Sequence, residues 1–406
     1  MGETSKHGAD ADVGCREVRD AMDFHGIRVL VTDGAGRQTL TVLHGLRDLG
    51  CRVSILCTSK LDFCYASRIP EEKLLDERAS PAHSGFCDYI LSLAASGKYD
   101  VLLPVGEMTT NRITLIEDAV KKHVKLACAP RSAYINAFDK QRTFEYAAQN
   151  GIPAPKTRLR TQTVEDYLET VSFPLIIKPR NGVGSIGFHK FSRREDFEPY
   201  LREHGIDLDL YVLQEYVDYE KRLGTILFMD QKDNVCMAYA DEVLRWYPLD
   251  AGSACCIRSI DYPEVIQWSA DLLRAMHWRG VAALSFMVDR TTGEPKLLEI
   301  NGRIPASIRL SRQCGFNVAK LLLEMAFDED VEQYGPNRVF GQVTRHFHAE
   351  IPWFLHSKDR FRCEPSWFSW RNTKDVVFWR DDPKPWFKYT IQKLFGYGEF
   401  KKKRQH

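Results

Sequence analysis

The order of apolar and polar segments predicts alternating strands and helices in the first third of the chain. IRVLVTDGAG, residues 27–36, has the pattern of a buried strand that runs into glycines. RQTLTVLHGLRDLG, residues 37–50, follows with the spacing of an amphipathic helix. CRVSILCTS and YDVLLPVGE predict further strands, and NRITLIEDAVKKH (111–123) predicts another helix. Strands alternating with helices are typical of a parallel, doubly wound sheet, which we expect over residues 26–130.

The pattern changes after about residue 135. FDKQRTFEYAAQNG predicts a helix that Lys140 opens and Gly151 ends. FPLIIKPRNGVGSIGFHKF, residues 173–191, predicts a strand, a glycine loop and a second strand, and YVLQEYV predicts another strand. GVAALSFMVDRTTGEPKLLEIN, residues 280–301, has the pattern of two strands joined by a turn, and NVAKLLLEMAF follows as a helix.

Length and composition narrow the class of protein. A chain of 406 residues suffices for two or three domains, and 44% hydrophobic with 27% charged residues is ordinary for a globular protein. The 56 Lys and Arg balance 55 Asp and Glu, so charge favours neither nucleic acid nor a membrane surface as partner. No apolar run reaches the roughly 18 residues of a membrane span. Residues 1–25 predict a disordered tail without the apolar segment of a secretion signal.

The cysteines indicate a reduced protein. There are 11 of them, an odd number, without repeated CxxC spacing and mostly in apolar surroundings. This distribution favours small buried side chains over a disulfide framework or a zinc site. We therefore expect a cytoplasmic location.

Candidate chemistry begins in LLEINGRIPASIRL, residues 297–310. Side chains alternate along a strand, so Glu299, Asn301 and Arg303 should share one face while Leu298 and Ile300 enter a core. A carboxylate and an amide oxygen on one face can hold a hard cation such as Mg²⁺, and an arginine suits phosphate or carboxylate oxygens. The alternative is a strand end with solvated polar residues.

A second candidate is the glycine loop after Lys178. Glycines 182, 184 and 187 allow backbone N–H groups to approach an anion, and the lysine adds a positive charge. The loop is not a Walker A motif, because the GK[ST] end is missing and a strand follows. Taken alone, the segment could equally be a flexible hairpin turn.

Read in order, these segments resemble the ATP-grasp superfamily of carboxylate–amine ligases, which includes biotin carboxylase and carbamoyl-phosphate synthase. The resemblance covers residues 26–330 and depends on Lys140, Lys178, the segment 214–217 (QEYV) and the run 299–303 (EINGR). It implies an α/β protein, with α+β character in the ATP-grasp part. Residues 26–130 would be a Rossmann-like pre-ATP-grasp domain, and residues 131–330 a domain of two lobes, 131–213 and 214–330. Residues 331–406 would be a C-terminal extension.

The resemblance also implies roles for individual residues. Those implied to bind ATP are Lys140, Lys178, Gly182, Gly184, Ser185, Gly187, Glu215, the backbone of Tyr216 and Val217, and Glu220 as a possible ribose ligand. Glu299 and Asn301 would hold Mg²⁺, and Arg303 would stabilise the transferring phosphoryl group together with Lys178. The family places Asp, Glu or Gln on the strand before the metal strand, whereas pairing the hairpin puts Ser285 there.

The resemblance predicts an ATP-dependent ligase that converts a carboxylate to an acyl phosphate and joins it to an amine, releasing ADP and phosphate. Its partners would be the two small-molecule substrates, and relatives are often homodimers. For these substrates we expect Arg245 at the catalytic centre and a pocket containing Arg258, Ser307 and Arg309, although each arginine could instead form a surface ion pair.

Two other hypotheses stay open at this point. A degenerate ATP-grasp module would bind nucleotide without ligase activity, which Ser285 favours and the retained lysines oppose. A nicotinamide-dependent dehydrogenase could use the DGAG loop, residues 33–36, although this loop lacks the full GxGxxG and Asp62 lies too far along to be a convincing ribose ligand.

Overall fold

The computed structural model describes residues 22–182, 187–249 and 252–402. Gly184 and Ser185, which the sequence assigns to the nucleotide loop, lie outside the described residues, as does the predicted tail up to residue 21. The described residues form three β-sheets with helices packed against them.

The first sheet is parallel, and its five strands follow the order β3-β2-β1-β4-β5. The strands are β1 (Arg28–Val31), β2 (Arg52–Cys57), β3 (Glu72–Leu75), β4 (Val101–Leu103) and β5 (Lys125–Leu126). The helices are α1 (Arg37–Asp48), α2 (Phe86–Ala94), α3 (Glu107–Thr114) and α4 (Glu117–Val120), with 3-10 turns at Phe63–Ala66 and Glu77–Ala79. The parallel, doubly wound sheet expected from the sequence is confirmed.

One predicted helix of this region is divided in two. Instead of a single helix over residues 111–123, α3 starts earlier, at Glu107, and stops before Ile116, where the backbone turns away at φ −118 and ψ 21. The break gives α4 its own N-terminus, where Glu117 and Asp118 complement the helix dipole. Glu117 also accepts the backbone N–H of Arg131, at 3.2 Å, so it ties this turn to the next segment.

The second sheet is small and antiparallel, in the order β7-β6-β8. Its strands are β6 (Leu175–Pro179), β7 (His189–Phe191) and β8 (Tyr211–Glu215). Around it lie α5 (Arg131–Phe138), α6 (Lys140–Gln149), α7 (Val164–Thr170), α8 (Arg194–Glu203) and a 3-10 turn at Leu208–Leu210. Lys140 does open a helix, because the Asp139 side chain caps α6 by accepting the N–H of Gln141.

The third sheet has eight strands, in the order β13-β12-β9-β10-β11-β15-β16 with β14 against β10. They are β9 (Tyr219–Met229), β10 (Val235–Tyr247), β11 (Ser253–Ile260), β12 (Gly280–Asp289), β13 (Pro295–Asn301), β14 (Gly335–Pro336), β15 (Val343–Arg345) and β16 (Thr373–Asp375). The helices that follow or cover them are α9 (Pro263–Ala275), α10 (Arg309–Gln313), α11 (Val318–Ala326), α12 (Phe347–His356) and α13 (Lys384–Lys402). The predicted hairpin corresponds to β12 and β13.

A β-bulge changes which side chains of β13 enter the core. The pairing of β12 with β13 passes from Ser285–Glu299 to Phe286–Leu297 and skips Leu298. Leu297 and Ile300 are therefore buried, and the expectation that Leu298 would accompany Ile300 is wrong. Simple alternation cannot reveal a bulge, because LL offers two equivalent residues to the core.

The C-terminal residues do not form a separate layer. The strands β15 and β16 continue the third sheet from β11, whereas the sequence places residues 331–406 in an extension. From α13, Tyr389 packs its ring against Phe63 beside the first sheet, with centroids 4.9 Å apart. The largest apolar core consequently joins the first sheet, the third sheet and the C-terminal segment.

A buried charge network fixes this segment. Glu350 of α12 lies between Arg245 of β10, whose Nε donates to it at 2.5 Å, and Arg345 of β15, and all three side chains are almost completely buried. The arginines also donate to the carbonyls of Pro365 and Trp367.

None of the helices in the described part of the chain combines the length and the apolar character that a membrane crossing demands.

We expect Glu350→Ala to lower the free energy of unfolding by about 3–5 kcal/mol, because two buried guanidinium groups lose their counter-charge. Chemical denaturation followed by tryptophan fluorescence would measure the change. Glu203→Ala, at the exposed end of α8, should change stability by less than about 0.5 kcal/mol. Equal effects of the two substitutions would contradict a stabilising role for the network.

Candidate active site

Glu299, Asn301 and Arg303 lie on one face at the end of β13. The Asn301 amide nitrogen donates to Glu299 Oε1 at 3.1 Å, and Arg303 Nη2 donates to Asn301 Oδ1 at 3.1 Å. Arg303 Nε also lies 3.6 Å from Glu107 Oε2, at the start of α3. Gly302 is needed between them, because an added Cβ would lie 2.6 Å from the Trp278 ring. The strand end therefore presents an ordered carboxylate, amide and guanidinium to the first sheet.

Lys178 reaches the same place from the second sheet. Its Nζ lies 3.4 Å from the carbonyl oxygen of Leu298 and 4.6 Å from the centroid of the Phe144 ring. Burial lowers the pKa of Lys178, the charge of Glu299 raises it and that of Lys140 lowers it, and together they bring the pKa to about 8. Lys178 and Glu299, which are 121 positions apart in sequence, thus interact electrostatically.

Lys140 lies at the mouth of the glycine loop. Its Nζ donates to the carbonyl of Gly182 at 2.8 Å, and its backbone N–H donates to Arg180. Arg180 in turn holds Asp139 with two hydrogen bonds, of 3.1 and 2.5 Å. The start of α6 is consequently attached to the strand that carries Lys178. Gly182 has φ +128 and Gly187 φ +77, backbone conformations that favour glycine.

Ser285 is the cross-strand neighbour of Glu299, in the position predicted from the hairpin. Its hydroxyl, the Glu299 carboxylate and the Asn301 amide oxygen are the hard oxygen donors that Mg²⁺ prefers. In the described part of the chain no group of three or more His, Cys, Asp or Glu is placed to hold a metal. These residues therefore fit an ion that takes its remaining ligands from water and phosphate oxygens. Asp289 is not available as a further metal ligand, because its carboxylate pairs with Lys296 and accepts N–H groups of the turn.

Glu215, Tyr216 and Val217, which the resemblance assigns to ATP binding, lie at the end of β8. The Glu215 carboxylate is 3.2 Å from Lys296 Nζ on β13, so an ion pair joins the two sheets at this point. The N–H groups of Glu215 and Tyr216 already donate to the carbonyls of Lys156 and Pro174, so neither is free to bind a nucleotide. Val217 is buried, and Glu220 is exposed on β9. The exposed position of Glu220 at the start of β9 is as typical of a solvated side chain as of a ribose ligand.

A cavity of about 240 Å³ separates the third sheet from the first. The residues that line it come from four distant parts of the chain and include Arg37, Arg222, Asp241, Ser285, Glu299, Arg303 and His346. Arg37 Nη1 lies 2.5 Å from His346 Nδ1, and His346 Nε2 lies 3.2 Å from the Tyr389 hydroxyl. Burial lowers the pKa of His346 well below its usual value, so the neutral ring can accept from Arg37.

Sequence reasoning missed Arg37, Glu107 and His346 as site residues. Arg37 follows β1 and Glu107 follows β4, and both positions are carboxyl ends of parallel strands, where ligands gather. That signal was present in the sequence. Burial raises the pKa of Glu107 and the adjacent Arg303 lowers it. Burial has the larger effect, so the pKa is raised. No local pattern marks His346, because only the tertiary fold brings it to the cavity.

The structure places the predicted substrate residues in different surroundings. Ser307 lines the cavity. Arg245, predicted as catalytic, is instead buried against Glu350, and we no longer expect it to contact substrate. Arg258 pairs with Glu242 at 2.9 Å, and Arg309 donates to the carbonyl of Phe378. Alternation along β10 and β11 and packing of the C-terminal segment turn these three arginines away from the cavity.

In the DGAG loop, the Asp33 side chain binds groups of the protein itself. The Asp33 carboxylate accepts the N–H of Gly106 at 2.8 Å and the Thr109 hydroxyl at 2.7 Å. Asp62 accepts the N–H of Thr58 at 2.7 Å. Both carboxylates therefore serve the fold, which leaves the dehydrogenase hypothesis without its ribose ligand.

Comparison with known proteins identifies the central region. Residues 137–307 match the sequence profile of the ATP-grasp domain. The chain contains an ATP-grasp domain. Among similar proteins is the carbamoyl phosphate synthase large chain of Xylella fastidiosa (strain 9a5c), which is 26% identical over 294 residues, or 67% of this chain and 27% of that protein. The chain thus spans little more than a quarter of such relatives, and it shares only part of their architecture.

Solved structures share the fold beyond the ATP-grasp domain itself. The biotin carboxylase domain dimer of Hydrogenobacter thermophilus 2-oxoglutarate carboxylase, in complex with MgADP, ADP and bicarbonate, has a TM-score of 0.64 at 14% identity, covering 78% of this chain and 73% of that one. N5-carboxyaminoimidazole synthetase of Staphylococcus aureus, complexed with ADP, has a TM-score of 0.60 at 14% identity, covering 76% and 79%. At these identities the likeness establishes the fold alone.

The charges around Lys178 predict opposite effects of two substitutions. We expect Lys178 to titrate near pH 8, with Glu299→Gln lowering its pKa and Lys140→Met raising it. Nuclear magnetic resonance of reductively ¹³C-methylated protein, with Lys178→Arg to assign the signal, would measure each titration. Shifts of the same sign in both variants would contradict the arrangement.

Proposed function

We propose that the protein is an ATP-dependent carboxylate–amine ligase that forms a C–N bond and releases ADP and phosphate. The observation that carries this proposal is the meeting of Lys178 with the strand of Glu299, Asn301 and Arg303. Cationic groups and hard oxygen donors beside a cavity at one strand end are what phosphoryl transfer to a carboxylate requires. The carbamoyl phosphate synthase relatives and the folds of biotin carboxylase and N5-carboxyaminoimidazole synthetase support the same reaction class.

The reaction has two displacements. A substrate carboxylate oxygen attacks the terminal phosphorus of ATP, the bond to ADP breaks, and an acyl phosphate forms. An amine nitrogen then attacks the acyl carbon, and the C–O bond to phosphate breaks. Lys140 and Lys178 would neutralise phosphate charge, and Arg303 would stabilise the phosphoryl group and hold the acid, together with Arg37 across the cavity. Enclosure between the sheets would protect the acyl phosphate from water.

Glu299 and Asn301, with Ser285 beside them, would hold Mg²⁺, and the ion would supply charge neutralisation at the nucleotide phosphates. Binding of ATP would extend from these residues to Gly182, Gly187 and the end of β8, where Glu215 and the backbone of 216–217 would face the adenine. Gly184, Ser185 and Glu220 remain predictions of the sequence. Every contact in this set is a proposal that nucleotide-binding experiments can test.

The setting we propose is the cytoplasm, with two small molecules as substrates. The ten cysteines among the described residues are all free, and most are buried, which suits a reducing compartment. Burial raises the pKa of the Cys57 thiol to about 12, so such thiols stay unreactive. A homodimer is a further proposal, prompted by the dimer reported for the Hydrogenobacter thermophilus domain.

The decisive test is phosphate release from ATP and Mg²⁺ with pools of small carboxylates and amines. We expect release that needs both substrates, and a fall of about 100-fold or more in Glu299→Ala, because the proposed metal site loses the Glu299 carboxylate. Glu294→Ala, in the exposed turn of the same hairpin, is the matched control and should retain the rate. ATP binding without release for any pool would instead favour a non-catalytic nucleotide-binding module.

Ser285 offers a separate test of the metal site. Ser285→Glu adds a carboxylate directly opposite Glu299, so the concentration of Mg²⁺ needed for half-maximal ATP binding should fall, since a hard cation gains a charged ligand. Isothermal titration calorimetry of ATP at a series of Mg²⁺ concentrations would measure it. An unchanged Mg²⁺ dependence, with Ser285→Ala as the comparison, would place the ion elsewhere.

A further inference from the structure

A row of four neighbouring residues crosses the third sheet on the face of the cavity. Asp241 on β10 is paired with Gly224 on β9, Gly224 with Ser285 on β12, and Ser285 with Glu299 on β13. Strands are about 4.8 Å apart, so Gly224 and Glu299 are separated by about 10 Å. The proposed metal ligands and Asp241 are therefore two ends of one surface.

The Asp241 carboxylate lies over Gly224. A Cβ added to this glycine would lie 2.9 Å from both carboxylate oxygens, so only the absence of a side chain leaves room for them. Asp241 is 5% exposed and contributes to the cavity wall. The carboxylate therefore lies one strand closer to Glu299 than the Asp241 backbone does, in the space above β9.

The carboxylate has no cationic partner among the residues that the structure describes. Burial alone raises the pKa of Asp241 to about 7. The titratable groups that interact with it are Tyr239 and Cys314, and burial raises the pKa of both, in Cys314 to about 11, so they are neutral near pH 7. An ionised acid buried in this way is costly for the fold, so it either takes up a proton or gains a positively charged ligand.

Arg37 and Arg222 also line the cavity, and the end near Glu299 collects positive charge from Arg303 and from Lys178 beside the same strand. An acidic substrate and the nucleotide phosphates would occupy that end. A metal ion, a phosphoryl group and a small acyl group fit within the about 10 Å between Glu299 and Gly224, which brings the acyl carbon to the edge of the Asp241 carboxylate. The remaining component of the reaction, the amine, has to approach from there.

Resting on the proposed ligase function, we propose that Asp241 binds the ammonium form of the amine substrate and accepts one proton from it. Loss of that proton frees the nitrogen lone pair, which attacks the acyl carbon. The C–O bond to phosphate breaks, and the second nitrogen proton leaves with the phosphate. The amine substrate is accordingly a cationic primary amine or ammonium, and Asp241 sets this specificity.

The test separates activation of the acid from attack by the amine. Hydroxylamine, which is uncharged near neutral pH, traps an acyl phosphate as a hydroxamate without needing a proton acceptor. An acid that gives hydroxamate with the wild-type protein is then assayed for phosphate release with ammonium chloride, the amino acids and putrescine. Asp241→Asn should retain hydroxamate formation and lose amine-dependent release by about 100-fold or more.

Two further variants make the result specific. Gly224→Ala leaves Asp241 in place but displaces its carboxylate, so it should also lose amine-dependent release selectively. Glu242→Gln changes the next carboxylate of β10, which faces the other way and pairs with Arg258, and it should behave like the wild type.

Each other outcome overturns the assignment. Amine-dependent release that survives in Asp241→Asn would show that Asp241 does not hold the amine. Parallel loss of hydroxamate in this variant would assign it to acid activation or to folding. A wild-type protein that forms hydroxamate but reacts with none of the cationic amines would also refute it. The absence of hydroxamate with every acid in the wild type would instead refute the ligase function on which the assignment rests.

Discussion

The apolar core shared by the first sheet, the third sheet and the C-terminal segment is the constraint on which the site depends. Leucines of α1, the inner face of β9 and β10, and Tyr389 of α13 belong to this one cluster. Because interiors are close-packed, its parts cannot shift independently. The core therefore sets the width of the cavity, although it supplies none of the reacting groups. Arg37 and Arg303 face each other only because this packing holds their elements in place.

Charge is distributed unevenly across the cavity. Arg303 and Lys178 lie near Glu299, while the buried Asp241 lies on the other side of Gly224. Each of these groups loses hydration, and the lowered pKa of Lys178 and the raised pKa of Asp241 are the signs of that cost. The fold tolerates such costs where binding of charged ligands can offset them. Arg245, Arg345 and Glu350 have the same chemistry, yet they neutralise one another and stabilise packing instead.

The sequence predicts the parallel sheet, the β12–β13 hairpin and the residues of the β13 strand end, because these depend on local periodicity and on consecutive motifs. It fails where a side chain's surroundings decide its role. Arg245 and Arg309 have the composition of substrate-binding residues, but partners about 70 or more positions away remove them from the cavity. The bulge at Leu298 and the broken helix at Ile116 leave no clear trace in apolar spacing. Asp241 could not be found without knowing that Gly224 is its neighbour across the strands.

The contact between Arg37 and His346 has a consequence for the order in which the molecule is made. Arg37 is synthesised more than 300 residues before His346 and Tyr389, so the first sheet can form early while this cavity wall is still missing. β15 and β16, which extend the third sheet, also come late. During synthesis the first and second sheets therefore leave the ribosome before the residues that complete this wall of the cavity.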